Sequence, residues 1–186
     1  MSAPKTMTFP VGVQAAYDAN NLYVRLTFKA PAGGFDKSDK DNEVKATVMF
    51  PNDKVPLADQ AGCWAACHED AKGMPKSKDK TKYVAAGTMD LMQWASSGKS
   101  SDGFVADKRN MTGGKAGATA EGAKAGDTYT VTYTRKLAGN AVLAAGKAVP
   151  FGIAIHADNA GGRFHHVSFG HTIGLGADGD VKAAKQ

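Results

Sequence analysis

Alternation of apolar and polar residues with period two dominates both ends of the chain and leaves little choice of fold. Val11, Val13, Ala15 and Tyr17 alternate, and Asp18-Ala19-Asn20-Asn21 supplies turn chemistry. After it Leu22, Val24, Leu26 and Phe28 face one way while Tyr23, Arg25, Thr27 and Lys29 face the other. Residues two apart line one face of a strand, so this stretch predicts a β-hairpin. A third strand runs through Val44, Ala46, Val48 and Phe50 and stops at Pro51-Asn52-Asp53. Downstream, Tyr129, Val131 and Tyr133 alternate with Thr128, Thr130, Thr132 and Thr134, a residue mix that favours strand. Two more strands are expected, from Val149 to His156 and from Phe164 to Leu175. In the second of these His165, Val167, Phe169, His171, Ile173 and Leu175 share one parity.

The middle of the chain reads differently. Cys63 to Lys72 and Met89 to Ser97 are predicted as short helices, and residues 98–127, rich in Gly, Lys, Ala and Ser, as a long flexible loop. Strands at the ends with a helical insertion point to an all-β protein, an antiparallel β-sandwich of the immunoglobulin type whose inserted segments carry the site. One domain is expected over residues 1–186, with the insertion at about 57–97.

Composition narrows the function classes. The 186 residues carry 23 basic and 18 acidic side chains, a formal charge of +5. The lysines are scattered and form no basic stripe interleaved with aromatics, which argues against nucleic acid. No stretch offers the roughly 20 apolar residues that cross a bilayer. With two cysteines a disulfide-rich scaffold is excluded.

Both cysteines fall in Cys63-Trp64-Ala65-Ala66-Cys67-His68. This C-x3-C-H is one residue longer than the usual c-type haem attachment, C-x2-C-H. Four residues apart on a helix, the two sulfurs share a face. There they can add to the two haem vinyl groups and leave His68 facing the iron as proximal ligand. A disulfide here would close a very small loop, and zinc would need two further ligands that no other cysteine provides. Covalent haem c is therefore the expected cofactor. Attachment of this kind takes place where the apoprotein is exported, so a periplasmic protein is expected. Met1-Ser2-Ala3-Pro4 shows no secretory leader, and the leader is expected to have been removed.

The sixth iron position falls to Met74 or to a histidine, with His166 the leading one; a thioether gives a higher reduction potential than a second imidazole. His165 and His166 are strand neighbours and point to opposite faces, so one of them at most reaches the iron. His171 is expected as a buried, hydrogen-bonded residue and His156 as a turn-side structural one. Arg163 is a candidate partner for a propionate. Trp64, Trp94 and Tyr83 are candidates for the hydrophobic wall of the pocket, the tryptophans alternatively for ordinary core. Lys72, Lys76, Lys78, Lys80 and Lys82, against Glu69, Asp70 and Asp79, offer either a docking surface for an acidic redox partner or a solvated loop.

Several blocks together carry a family resemblance: Ala61 to Asp70 around the cysteines, Met74-Pro75, Met89 to Trp94, Pro150 to His156 and Arg163 to Ser168. In these the chain resembles the ethylbenzene-dehydrogenase-type haem-binding domains, which include the haem subunits of molybdenum enzymes of the dimethyl-sulfoxide-reductase class. The resemblance implies a β-sandwich shaped like a carbohydrate-binding module that holds one haem and passes single electrons. It also implies redox partners such as a molybdenum oxidoreductase or a membrane cytochrome. Family members with non-covalent b-type haem use a Met and a Lys as axial ligands. This sequence departs from them by its thiol anchors and adjacent His, so that pair does not transfer whole. Met74 matches the family Met, and one of His165 and His166 stands where the distant ligand comes from. The expected function is a periplasmic monohaem electron carrier without substrate chemistry of its own. The competing readings are a haem-free binding module and a haem sensor with an open sixth position.

Overall fold

The computed structural model describes residues 8, 10–29, 43–62, 87–156 and 165–186. The strands are β1 (Gly12–Tyr17), β2 (Asn21–Lys29), β3 (Lys45–Pro51), β4 (Met89–Ala95), β5 (Ser100–Val105), β6 (Arg109–Asn110), β7 (Thr119–Ala125), β8 (Thr128–Lys136), β9 (Lys147–His156), β10 (His166–Val167), β11 (His171–Leu175), β12 (Val181–Lys182) and β13 (Ala184–Lys185). One four-residue helix, α1 (Ala58–Ala61), precedes the cysteine pattern. Among the described residues no helix is long and apolar enough to cross a membrane.

The strands form two sheets that pack face to face. One runs β13-β1-β2-β8-β7; the other runs β12-β11-β9-β3-β4-β5-β6, with β10 also paired to β9. The β1–β2 hairpin forms where the alternation places it. In its turn Asp18 Oδ1 accepts the amides of Asn20 and Asn21, both at 2.7 Å, while Oδ2 accepts the Tyr23 hydroxyl at 2.7 Å. The Tyr23 bond first, then the two amides, bring the Asp18 pKa down to about 2. Leu22, Val24, Leu26 and Phe28 point inward to meet Val44, Ala46, Val48 and Phe50 from the facing sheet. Burial of such side chains, about 1.5–3 kcal/mol each, is what drives the two sheets together.

Two sequence expectations are corrected. Met89 to Ser97 is no helix; residues 89–95 form β4, a central strand between β3 and β5. A short, nearly continuous apolar run reads alike for a buried helix and for a strand covered on both faces, and six of the seven residues here are buried. Nor is the segment 98–127 a loop, since it contains β5, β6 and β7. Their Ser, Gly, Ala and Lys residues have poor strand propensity, and pairing to β4 and β8 overrides it. The helix expected over Cys63 to Lys72 lies outside the described residues.

The ends of the sandwich are built differently. The C-terminal segment passes from one sheet to the other: β12 pairs with β11, and two residues later β13 pairs with β1. On the same end an ion pair crosses the interior, Arg135 of β8 to Asp90 of β4 at 3.1 Å, with both side chains fully buried. Asp90 also accepts the Asn140 amide at 3.1 Å, the Asn140 side chain at 2.9 Å and the Ala141 amide at 2.9 Å. Arg135 donates to the carbonyls of Lys136 and Ala141 and covers the Phe50 ring at 4.9 Å. By contrast, among the described residues the side flanked by β1 and by β9 to β11 is open.

Candidate functional site

The open side takes its shape from an irregularity in one strand. Residues 166–175 all run along β9, but the register changes midway: His166 pairs with Ile155 and Val167 with Ala154, whereas His171 pairs with Phe151. Four residues of β9 thus oppose five of its partner, which is a β-bulge over Ser168-Phe169-Gly170. Ser168 bonds across it both ways, its amide to the Ile153 carbonyl at 2.9 Å and its Oγ to the Ile153 amide at 2.9 Å.

The bulge overturns the single parity expected for this strand. Cross-strand partners share a face, so His166, opposite Ile155, turns toward the space between the sheets, and beyond the extra residue His171 and Ile173 do the same. His165 and Val167 take the outer face instead.

Between the sheets this leaves a cavity of about 830 Å³. Val11 just before β1, Val13 of β1, Phe151, Ile153 and Ile155 of β9, and Val181 supply apolar walls; His166, Ser168, His171 and Asp180 are among its polar members. Phe169 lines it while 69% exposed. Both the volume, within the roughly 300–1,000 Å³ of cofactor pockets, and the mainly apolar wall with a few convergent polar groups suit a large flat ligand. The Nε2 atom of His166 is buried. The residues present therefore fit a haem.

Phe169 ties the wall of this cavity to the end of α1. Gly62, the residue before Cys63, follows α1 with φ 53° and packs so closely on the Phe169 carbonyl that a side chain there would overlap it. Gly170 is equally constrained: its amide donates to the Gln60 carbonyl at 2.7 Å, and a Cβ would collide with the Asp59 carbonyl. The bulge and α1 are thus locked backbone to backbone. Cys63, Trp64, Cys67, His68, Met74, Tyr83, Arg163 and the lysine cluster lie outside the described residues.

Of the remaining sequence candidates, Trp94 is core. It is 5% exposed, lies across Gly122 and meets Tyr129 edge-on at 6.0 Å. His171 is not the buried residue expected; its side chain is 52% exposed and stands 3.8 Å from Asp180. On the outer face, His156 at the end of β9 stacks on His165, ring centroids 4.7 Å apart. Burial first, then the neighbouring His165, Lys45 and Arg109, pulls the His156 pKa down to about 3, so it is neutral at physiological pH. Its Nδ1 has no hydrogen-bond partner among the described residues.

Sequence reasoning missed the Asp90–Arg135 pair and the bulge. For the pair the signal was present, since Arg135 continues the inward parity of Tyr129, Val131 and Tyr133. For the bulge the only signal was Gly170 inside a strand pattern.

A β-sandwich with a cofactor-sized cavity between its sheets defines the class. Residues 2–126 match the ethylbenzene dehydrogenase family model, a span that includes both cysteines. The chain is 50% identical to cytochrome c-551 of Rhodocyclus tenuis over 185 residues, covering 98% of this chain and 72% of that protein. It is 49% identical to cytochrome c-552 of Stutzerimonas stutzeri over 187 residues, covering 94% of this chain and 64% of that protein. The chain belongs to the ethylbenzene dehydrogenase family.

Proposed function

We propose that this protein is a c-type cytochrome of the periplasm that carries single electrons between redox proteins and holds one haem between its sheets. The observation that carries the reading is the juxtaposition at the bulge: Gly62, directly before Cys63, is locked on Phe169, which lines the cavity that His166 faces. Relatives of about 50% identity named as cytochromes c support it. When bound, the haem supplies a one-electron iron couple.

Each residue then has a definite task. Cys63 and Cys67 anchor the group by two thioethers, and His68 is the proximal ligand. Between Met74 and His166 for the sixth position, the register opposite Ile155 favours His166, because it turns that imidazole toward the cavity from β10. Trp64, Tyr83 and Arg163 remain candidates for the pocket wall and for a propionate partner. The aliphatic wall from β1 and β9 limits water, which sets the local dielectric and with it the reduction potential. Two imidazole ligands favour a lower potential than an imidazole and a thioether. Partners are redox proteins, among which the family points to a molybdenum oxidoreductase, and the lysines after the motif suit an acidic docking face.

Expression in an export-competent host with haem maturation machinery tests the proposal. The expected product carries the mass of one covalent haem and gives a c-type pyridine haemochrome spectrum, and Cys63→Ala with Cys67→Ala abolishes both. Apoprotein mass alone from the unaltered chain would overturn the reading in favour of a haem-free binding module.

A further inference from the structure

The mouth of the cavity holds a second imidazole for which the electron-carrier reading has no use. His171 opens β11, is 52% exposed at its side chain, and places Nδ1 3.8 Å from Asp180 Oδ2. Both residues line the same cavity as His166. The His171 ring also lies 6.2 Å from that of Phe151, deeper in the wall.

Asp180 is held in place from behind. Its Oδ2 accepts the Thr172 amide at 2.8 Å and the Thr172 hydroxyl at 3.1 Å, and the Asp180 amide donates to Thr172 Oγ1 at 3.2 Å. The Thr172 amide foremost keeps the Asp180 carboxyl below its ordinary range. A fixed negative charge therefore faces His171 throughout the range in which an imidazole titrates.

The other elements around His171 bring few competing charges. In the Asp180 loop, Asp178 is occupied by Lys182 at 2.9 Å. Strand β1 and the residue before it contribute Val13 and Val11 to the cavity, β9 contributes Phe151, Ile153 and Ile155, and β10 contributes His166. Helix α1, against β11, carries Asp59.

We propose that His171, oriented by Asp180, couples proton uptake to electron transfer, binding one proton from water for each electron the cavity receives from a redox partner and releasing it when the electron leaves. One electron and one proton enter together, so the net charge of the cavity stays constant. The physical reason is electrostatic. An electron added inside a mainly apolar cavity is poorly screened, and imidazole is the side chain that answers by protonation near neutral pH. Coupling is reciprocal: if the electron favours the proton, the proton raises the reduction potential by the same free energy. This inference rests on the cavity being the haem site.

A spectroelectrochemical titration of the holoprotein from about pH 5 to about pH 8 tests it. The midpoint potential is expected to fall as pH rises, with a limit of about 59 mV per tenfold change in proton concentration for one electron. His171→Asn should flatten that dependence with little change in unfolding midpoint, since the side chain is exposed. Asp180→Asn should weaken the dependence, because the imidazole loses the carboxylate that orients it. A slope that survives His171→Asn assigns the proton to another group, such as a haem carboxylate, and overturns the proposal, as does a flat wild type. If the same preparation lacks a c-type haemochrome spectrum, the haem reading itself falls; haem present with a flat potential removes the proton coupling alone.

Discussion

The two ends of the sandwich put polar groups between apolar sheets in opposite ways. At the closed end, the carboxylate of Asp90 receives three hydrogen bonds from Asn140 and Ala141 besides its ion pair with Arg135. At the open side, His166, Ser168, His171 and Asp180 border a cavity of about 830 Å³ whose other walls are mainly aliphatic and aromatic. A buried ion pair that is fully enclosed holds the sheets in register, whereas polar groups lining a cavity of this size can meet a ligand. The first arrangement concerns stability and the second function, and substitutions should separate the two.

The largest expected effect belongs to the closed end. Asp90→Ala leaves Arg135 buried without its counter-charge, a change that typically costs about 3–5 kcal/mol. For a chain of this size each kcal/mol lowers the melting temperature by roughly 2–4 °C. Thermal unfolding of the variant should therefore fall by roughly 6–20 °C, while any protein that folds keeps its haem spectrum. An unchanged melting temperature would break the contrast.

A smaller effect, visible only as pH changes, belongs to the outer face of the open side. His156 has a folded pKa of about 3 against an ordinary 6.5, so between these values the unfolded chain binds the extra proton. Stability contributed by the neutral imidazole is complete above about 6.5 and is lost as pH falls toward 3, at about 1.4 kcal/mol for each full pH unit. Urea unfolding at pH 7 and at about pH 4.5 should show His156→Gln losing less stability on acidification than wild type. Equal losses would mean that the stacked His156–His165 pair contributes nothing to the acid response.

Much of the frame was legible in the sequence because single strands buried on one face announce themselves by alternation. Leu22 to Phe28 and Tyr129 to Tyr133 did so, and the sandwich followed. Strand β4 was not legible, since Met89 to Ala95 is buried on both faces and a doubly covered strand has no alternation to show. Strands β5 and β7 escaped because their Ser, Gly and Ala residues become strands only through their neighbours. At the site, the cysteine pattern was local and therefore readable. The orientation of His166 and His171 was not, because it depends on one extra residue in the bulge at 168–170, which the backbone of α1 fixes from more than 100 residues away along the sequence.

In the proposed function the cavity between the sheets receives the haem and His166 reaches it there. Near-infrared magnetic circular dichroism of the oxidised holoprotein tests this most directly, with His166→Ala and Met74→Leu prepared beside the wild type. The account predicts a bis-imidazole band in the wild type that is lost in His166→Ala and unchanged in Met74→Leu. A methionine–histidine band that disappears in Met74→Leu and survives in His166→Ala would contradict it.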